Sequence, residues 1–324
     1  MKSFKSIAAL AFAGAFFIPI TKGSAQTLFS DNFDIDHTAN WTKNFTTGNN
    51  AADIFFDYST IGIPSAPNSV GGTTRGVKME SDFDIPGVLG GVSISPTGQS
   101  FLGNYRLKYD VWHNYNGPLG PINAGGSGST QYSGGGILSS GTTAEGNNTP
   151  GLSSILFTAN GDSGSGIDYR VYTSAGLAPD ASTNYAASGP GNRSGANAYY
   201  SSFGNTTAPA AQQTLFPQQT GSTPIGSQGF AWHQVEIEKI ANIVTWKIDG
   251  LLIATVDTNG LTLGGNNIFL DRWEQNASVS TDPNRRALLF GLVDNVRVEA
   301  VPEPATYAMG LLGMAGLYFA RRRK

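Results

Sequence analysis

Short stretches in which apolar and polar residues alternate recur along most of the chain. In residues 105–111 every second residue is apolar, and charged residues occupy the positions between them. Because successive side chains of a strand point to opposite faces, this pattern predicts a strand with one buried and one wet face. Similar strands are predicted at residues 27–33, 53–58, 76–80, 91–95, 105–113, 153–158, 167–173, 232–240, 243–249, 251–256 and 287–299. Between the two ends of the chain no helical period is clear, so the pattern predicts an all-β domain.

The strongest local signal is a hairpin. Asp249 and Gly250 separate two alternating runs, residues 243–248 and 251–256. Glycine takes the positive φ of a type I′ turn without a Cβ clash, which makes Asp-Gly between such runs typical of a two-residue hairpin loop. With the preceding run at 232–240, three consecutive antiparallel strands are predicted.

The amino-terminal end has the pattern of a secretory signal. Lys2 and Lys5 precede an apolar run at residues 7–18, and small residues occupy positions 23–25. This order predicts a signal peptide over residues 1–25, cleaved before Gln26 by the secretion machinery.

The carboxy-terminal end contains a second apolar run, residues 305–320, followed by Arg321, Arg322, Arg323 and Lys324. A helix of this length covers roughly 24 Å, against about 30 Å for the hydrocarbon core of a bilayer. The run predicts one short transmembrane helix with its cations on the cytoplasmic side and everything before it exported. An ordinary tail anchor is one interpretation of this end.

A second interpretation comes from the residues before the run, Val301-Pro302-Glu303-Pro304. This motif, followed by a short span and an arginine cluster, resembles the PEP-CTERM sorting signal of Gram-negative bacteria. The resemblance implies that an exosortase, a membrane-embedded protease, recognises Pro302, Glu303 and Pro304 and removes the tail. The protein would then be delivered to the cell surface or to an exopolysaccharide matrix. The similarity covers residues 301–324 and transfers no activity to the rest of the chain.

Composition narrows the function classes of the part between the ends. Seven of the 20 Lys and Arg lie at positions 2, 5, 22 and 321–324, which leaves 13 cations against all 23 Asp and Glu in residues 26–320. This acidic balance excludes nucleic acid as a partner, because phosphate backbones bind basic surfaces. The chain contains no cysteine, so its stability must come from a core large enough to do without disulfides.

The hairpin region carries a resemblance to a fold family. A Trp232-His233-x-Val235 strand before a strand that ends in Asp249-Gly250 resembles the concanavalin A-like, laminin-G-like jelly roll. Residues 28–33 and 292–298 resemble its first and last strands. The resemblance implies a jelly-roll β-sandwich over residues 26–300, interrupted by a Gly/Ser/Asn-rich insertion at 117–229 with a few strands.

Within that insertion, residues 174–229 hold few apolar side chains, which is typical of disorder. The alternative is that its aromatic residues form a ligand platform over the sandwich. These aromatics are Tyr185, Tyr199, Tyr200 and Phe203.

Catalytic motifs are missing from the sequence. The Glu-x-Asp-x-x-Glu strand that the resemblance implies for glycoside hydrolases of this fold does not occur, nor does a Gly-x-Ser-x-Gly elbow. We therefore predict no catalytic residue. The alternative is a glycosidase of the same fold that uses Glu236, Glu238 or Glu274.

Two aspartate clusters are candidates for calcium, the one cofactor considered, because hard oxygen donors on loops suit this ion. One comprises Asp31, Asp34 and Asp36, and the other Asp162 and Asp168. Solvated turn carboxylates are the alternative interpretation of both.

Aromatic residues offer a candidate glycan contact. Trp273 has polar neighbours on both sides, which predicts an exposed indole able to stack on a sugar ring, together with Tyr199 and Tyr200. We expect a non-catalytic surface or matrix protein that binds extracellular polysaccharide. The alternatives are the glycosidase and a purely structural surface protein.

Overall fold

The computed structural model describes residues 25–81, 85–120, 131–146, 152–275 and 282–302. These parts contain fifteen β-strands, the α-helices α1 (Ala210–Leu215) and α2 (Arg285–Leu288), and 3₁₀ turns at Thr38–Asn40, Tyr58–Ile61, Val70–Gly72 and Ala198–Tyr200. The strands are β1 (Thr27–Asp31), β2 (Trp41–Phe45), β3 (Ala51–Asp57), β4 (Arg75–Glu80), β5 (Gly91–Pro96), β6 (Tyr105–Asn114), β7 (Gln131–Ser139), β8 (Ile155–Asn160), β9 (Tyr169–Thr173), β10 (Gly176–Leu177), β11 (Trp232–Ile240), β12 (Ile243–Ile248), β13 (Leu251–Asp257), β14 (Asn267–Glu274) and β15 (Phe290–Ala300).

The strands form two antiparallel sheets that pack face to face. Sheet A has the order β13-β12-β11-β6-β15-β4-β3, and β1 pairs with the carboxy-terminal half of β15. Sheet B has the order β10-β9-β8-β7-β14-β5-β2. The expected all-β jelly-roll sandwich is confirmed.

The predicted hairpin is also confirmed. Ile248 pairs with Leu251, and Asp249 and Gly250 between them have φ angles of 50° and 81°. Both values are positive, as a type I′ turn requires. The Asp249 carboxylate accepts hydrogen bonds from the backbone N–H of Gln234 at 2.7 Å and from Nδ1 of His233 at 2.6 Å, so the turn is fixed to the neighbouring strand β11.

The core lies between the inner faces of the two sheets. Trp246 of sheet A stacks on Phe157 of sheet B with ring centroids 5.3 Å apart, and its ring lies 6.3 Å from that of Tyr169. All three side chains are buried. Large aromatic rings bury much apolar area, so this cluster is a main contact between the sheets.

Residues 117–229, expected as an insertion, supply β7 to β10 of sheet B. The expectation of disorder for residues 174–229 is wrong, because aromatic residues of this segment are buried in the core. Tyr200 is fully buried, stacks on Tyr169 with centroids 4.0 Å apart, and donates a hydrogen bond of 2.6 Å to the carbonyl of Asn192. Tyr185 and Phe203 join the same core cluster. These aromatics therefore pack inside the fold and form no open platform.

Both ends of the chain lie outside the described residues, and with them the predicted signal peptide and the predicted transmembrane helix over 305–320. Within the described ranges, no helix combines the length and the apolar character needed to cross a membrane.

We predict that Tyr200→Ala lowers the free energy of unfolding by about 3–5 kcal/mol, because it leaves a cavity beneath residues 174–229. Ile225 is exposed in the same segment, so Ile225→Ala should change stability by no more than about 0.5 kcal/mol. Urea denaturation of the two variants measures both values. Equal stability would show that the segment does not pack on the core.

Candidate functional site

A cleft of about 540 Å³ opens on the outer face of sheet A. We call it the sheet A cleft. Its lining comes from β1 and the segment after it, the loop before β4, and strands β6, β11 and β15. The lining residues are Ser30, Asp31, Asn32, His37, Asn68, Lys108, Tyr109, Asp110, Gln234, Asn295, Val296, Arg297 and Glu299.

The alternation of β6 directs its polar residues to this face. Tyr109 belongs to the core cluster, so Lys108 and Asp110 on either side of it point outward. Asp110 lies opposite Gln234 of β11 and opposite Asp294 of β15. Three polar residues therefore form one row across adjacent strands on the outer face of sheet A.

A β-bulge in β15 shapes the same region. Pairing between β15 and β6 shifts register between Asp294 and Arg297, and Asn295 has a φ of 55°. The bulge turns the Asn295 amide toward Asp110, to which its Nδ2 donates at 3.0 Å. Bulges of this kind re-aim side chains that regular pairing would place elsewhere.

Asp110 and Asp294 are both buried, although both carry carboxyl groups. Asp110 accepts hydrogen bonds from Nδ2 of Asn68 at 2.7 Å and from its backbone N–H at 3.2 Å. Asp294 accepts from the hydroxyl of Tyr58 at 2.9 Å and from Ser69 Oγ at 2.8 Å. The two carboxyl groups thus hold residues 58–69 against the sheet.

Burial disfavours the charged form of these groups. It raises the pKa of Asp110 above its ordinary value, and it raises the pKa of Asp294 to about 7, with a further contribution from the neighbouring Asp110 charge. Among the described residues, no Lys or Arg forms an ion pair with either one. At neutral pH the pair therefore holds a proton part of the time.

Charged side chains form the rim of the cleft nearest the end of β15. Glu299 pairs with Arg297 at 2.8 Å and with Lys108 at 3.5 Å. Gln234 also lines the cleft, opposite Asp110, and its side chain is exposed. The cleft therefore presents cations, carboxylates and amides together, which suits a ligand that both donates and accepts hydrogen bonds.

The structure gives the aspartates of the two predicted calcium sites other partners, and calcium binding stays a prediction. The described residues contain no group of three or more His, Asp or Glu side chains placed to hold a metal. Asp31 instead accepts from Nε1 of Trp41 at 2.8 Å and from His37 Nδ1 at 3.1 Å, while Asp36 caps the backbone N–H of Thr38 at 3.0 Å. These aspartates shape the turn after β1.

The second cluster also has a structural explanation. Asp162 accepts from the backbone N–H of Gly164 at 2.9 Å, and Asp168 accepts from that of Gly195 at 2.7 Å. Burial raises the pKa of Asp162 to about 6. The carboxylates organise the loop between β8 and β9.

The prediction of an exposed platform at Trp273 is wrong, because this side chain is only 3% exposed. It lies on the outer face of sheet B, where a Cβ at Gly91 or Gly146 would overlap its ring. Tyr200 is fully buried, and Tyr199 is partly buried with its hydroxyl bonded to the carbonyl of Leu252 at 2.7 Å. The structure does not bring these three aromatics together on an open surface.

The glutamates of the glycosidase alternative also have structural partners. Glu238 accepts from Nε of Arg106 at 2.8 Å, and Glu236 pairs with Lys247 at 3.0 Å. These are cross-strand ion pairs on the outer face of sheet A. Glu274 is fully buried.

Sequence reasoning did not select Asp110, Asp294 or Asn295. The available signals were a charged residue at a wet position of β6 and the Asp294-Asn295 pair inside an otherwise apolar run. Neither signal indicates a partner, because the pairing of β6 with β15 joins distant parts of the chain.

Comparison with protein-family models matches residues 300–324 to the PEP-CTERM protein-sorting motif. Residues 300–324 carry a PEP-CTERM sorting motif. The resemblance seen in Val301 to Pro304 and in Arg321, Arg322 and Arg323 is confirmed. Glu303 and the residues after it lie outside the described part of the chain.

Among solved structures, the chain is similar to a Bacillus licheniformis β-glucanase. The two sequences are 12% identical, the match covers 87% of this chain and 100% of that chain, and the TM-score is 0.40. It is also similar to the laminarinase catalytic domain from Thermotoga maritima, with 13% identity, a match that covers 86% of this chain and 99% of that chain, and a TM-score of 0.42. An endo-β-1,3-glucanase from Pyrococcus furiosus is 14% identical, with a match that covers 86% of this chain and 96% of that chain and a TM-score of 0.43. No curated protein matches the chain.

The raised pKa of Asp294 predicts a pH-dependent stability. A carboxyl group with a raised pKa in the folded state stabilises the fold below its unfolded value of 3.8, and this contribution is lost as the pH rises through about 7. Wild-type protein should therefore lose stability between pH 5 and pH 8, by up to about 1.4 kcal/mol per pH unit from this group. Asp294→Asn, which stays neutral, should flatten that slope in urea denaturation.

Asp36→Asn is the matched control. Hydrogen bonds from Thr38 lower the pKa of Asp36, so this group stays ionised from pH 5 to pH 8 and its replacement should leave the slope unchanged. A wild-type slope in Asp294→Asn would show that Asp294 is not the titrating group.

Proposed function

We propose that this chain is an exported surface or matrix protein whose sheet A cleft binds an extracellular polysaccharide without cleaving it. The observation that carries the proposal is the lining of the cleft, where carboxylates, cations and amides face one open volume of about 540 Å³. Volumes of roughly 300–1,000 Å³ are usual for binding sites of small ligands or of a few sugar units.

The PEP-CTERM motif supports the export part of the proposal. It implies recognition by an exosortase after passage through the secretion machinery, with the tail anchored in the inner membrane before its removal. A protein that ends at the cell surface meets polysaccharide there. The acidic balance of residues 26–320 is compatible with this partner, since neutral sugars bind without counter-charge.

The chemistry of the cleft supports a sugar ligand. Each sugar hydroxyl donates one hydrogen bond and accepts others, so a good site offers both kinds of group. Lys108 and Arg297 donate, Glu299 accepts, and the amides of Asn32 and Gln234 do both. These residues lie around the opening, where successive sugar units of a chain can reach them.

Binding is favoured over hydrolysis by the placement of the carboxyl groups. Glycosidases of the usual kind need two carboxyl groups that flank the scissile bond. Asp110 faces the cleft, but Asp294 lies behind the lining and is bonded to Tyr58 and Ser69. Among the described residues that line the cleft, Glu299 is held by two cations and Asp31 accepts from Trp41 and His37, so neither is a free acid paired with Asp110.

We predict that the mature chain is retained on at least one bacterial polysaccharide in affinity electrophoresis, and that Gln234→Ala weakens this retention. Losing one hydrogen bond costs about 0.5–1.5 kcal/mol, which corresponds to roughly 2–10-fold in affinity. Arg297→Ala should have at least the same effect, because its hydrogen bonds are charge-assisted.

Gln99→Ala is the control, since Gln99 is an exposed glutamine outside the cleft. It should leave retention unchanged. Wild-type protein that binds no polysaccharide would refute the proposal and leave the structural role. Equal weakening by all three variants would place the ligand elsewhere.

One observation favours hydrolysis as a second candidate function. On the outer face of sheet B, Asp271 is fully buried and neither carboxylate oxygen has a hydrogen-bond partner. Burial raises its pKa well above the ordinary value, and the nearby Glu145 charge adds to this effect. A neutral acid beside a second carboxyl group is the pairing that glycosidases use. Release of reducing sugar by wild-type protein, abolished in Asp271→Asn, would establish hydrolysis and overturn the non-catalytic proposal.

A further inference from the structure

The tail leaves the sandwich from a fixed point. At the end of β15, the backbone N–H of Ala300 donates to the carbonyl of Gln26 at 2.8 Å. The next residue, Val301, donates to the carbonyl of Asn104 at 3.0 Å. The chain is therefore held to the domain up to the first residue of the sorting motif.

Three loops and the start of β1 surround this exit point. Lys239 Nζ donates to the carbonyl of Gly103 at 3.1 Å, and the backbone N–H of Ala241 donates to Asn104 Oδ1 at 2.8 Å. The backbone N–H of Thr258 donates to the carbonyl of Asn242 at 2.8 Å. We call this surface the tail end; it comprises residues 26–28, 102–104, 239–243 and 257–263.

Exposed apolar side chains are concentrated at the tail end. Of the eleven large apolar residues exposed in the described part of the chain, five belong to it. Leu102 is the most exposed of these five residues, with 71% of its surface accessible to solvent. The five are Leu28, Leu102, Ile240, Ile243 and Leu263. Amides lie among them, and Lys239 and Asp257 are the charged residues of this surface. Grouped apolar side chains with a polar surround mark an interaction surface.

The length of the spacer identifies what this surface meets. The apolar run begins at Ala305, four residues after Val301. Even a fully extended chain covers only about 14 Å over this distance. The polar headgroup layer of a bilayer is itself several ångströms thick on each side of the hydrocarbon. While residues 305–320 lie in a membrane, the spacer therefore holds the tail end within about 10 Å of the headgroup layer, close enough for its exposed loops to touch it.

We propose that, before the tail is removed, the tail end rests on the bilayer with Leu102, Ile240 and Ile243 in the headgroup layer. This inference rests on the proposed export and anchoring of the chain. A lipid surface fits better than a protein partner because the apolar side chains project from separate loops on a domain end and do not line a groove. The long axis of the strands then stands away from the membrane, and removal of the tail releases a contact too weak to persist alone.

The chain contains no cysteine, so single substitutions give unique labelling sites. We would reconstitute the full chain into vesicles of phosphatidylethanolamine and phosphatidylglycerol that contain a lipid with a nitroxide headgroup. A fluorescent label at Leu102→Cys or Ile243→Cys should lose its fluorescence by quenching. Ile225→Cys is the matched control, because Ile225 is an exposed isoleucine near the opposite end, beside the Gly226 carbonyl that bonds the Tyr169 hydroxyl. Its label should stay bright.

Equal fluorescence at positions 102, 243 and 225 would overturn the inference. Flotation of the labelled chain with the vesicles separates this outcome from failure of the anchoring itself. A chain that does not float refutes both anchoring and inference, whereas a chain that floats without selective quenching refutes the inference alone. A third outcome is that the labels are not quenched in vesicles alone and become buried only when exosortase is added. The tail end would then contact the protease, and the proposed lipid contact would be overturned.

Discussion

Two sheets without a covalent link between them depend on the side chains that meet across the sandwich. The chain has no cysteine, so no disulfide limits the freedom of the unfolded state. The contact between Trp246 and Phe157 joins the sheets directly, and Tyr169 extends it to Tyr200 in the segment before β11. Everything on the outer faces, including the sheet A cleft, has its geometry only because this inner packing fixes how the strands lie.

The two sheets differed in how far the sequence could predict them. Strand β11 and the first half of β6 have one partly solvated face, so their alternation of apolar and polar residues is visible. In sheet B, β7 is buried on both faces along its whole length, and no strand was predicted there. A strand of this kind has no alternation, and β7 is rich in glycine, which resembles a loop. The region 117–229 was therefore expected as an insertion, although it supplies four of the seven strands of sheet B.

The site was harder to predict than the fold, because strand register determines which of its residues lie next to each other. Asp110 and Asp294 are opposite each other only through the pairing of β6 with β15, and the bulge at Asn295 completes their surroundings. The local sequence does not show which strands pair or in which register. Trp273 failed as a prediction for a related reason: its polar neighbours in sequence indicate exposure, yet Gly91 and Gly146 leave room for its indole to be buried.

The position of the tail relative to the cleft relates the proposed sorting to the proposed binding. Strand β15 runs from the opposite end of the sandwich to the tail end, and the cleft uses its last residues on the outer face of sheet A. With the tail end against a membrane, the cleft opens sideways from the domain, because a sheet face lies parallel to its strands. Its opening is then not covered by the bilayer. Under the proposed function, a polysaccharide would therefore occupy the cleft while the chain is still anchored, and removal of the tail would change where the complex goes and leave the binding surface as it was.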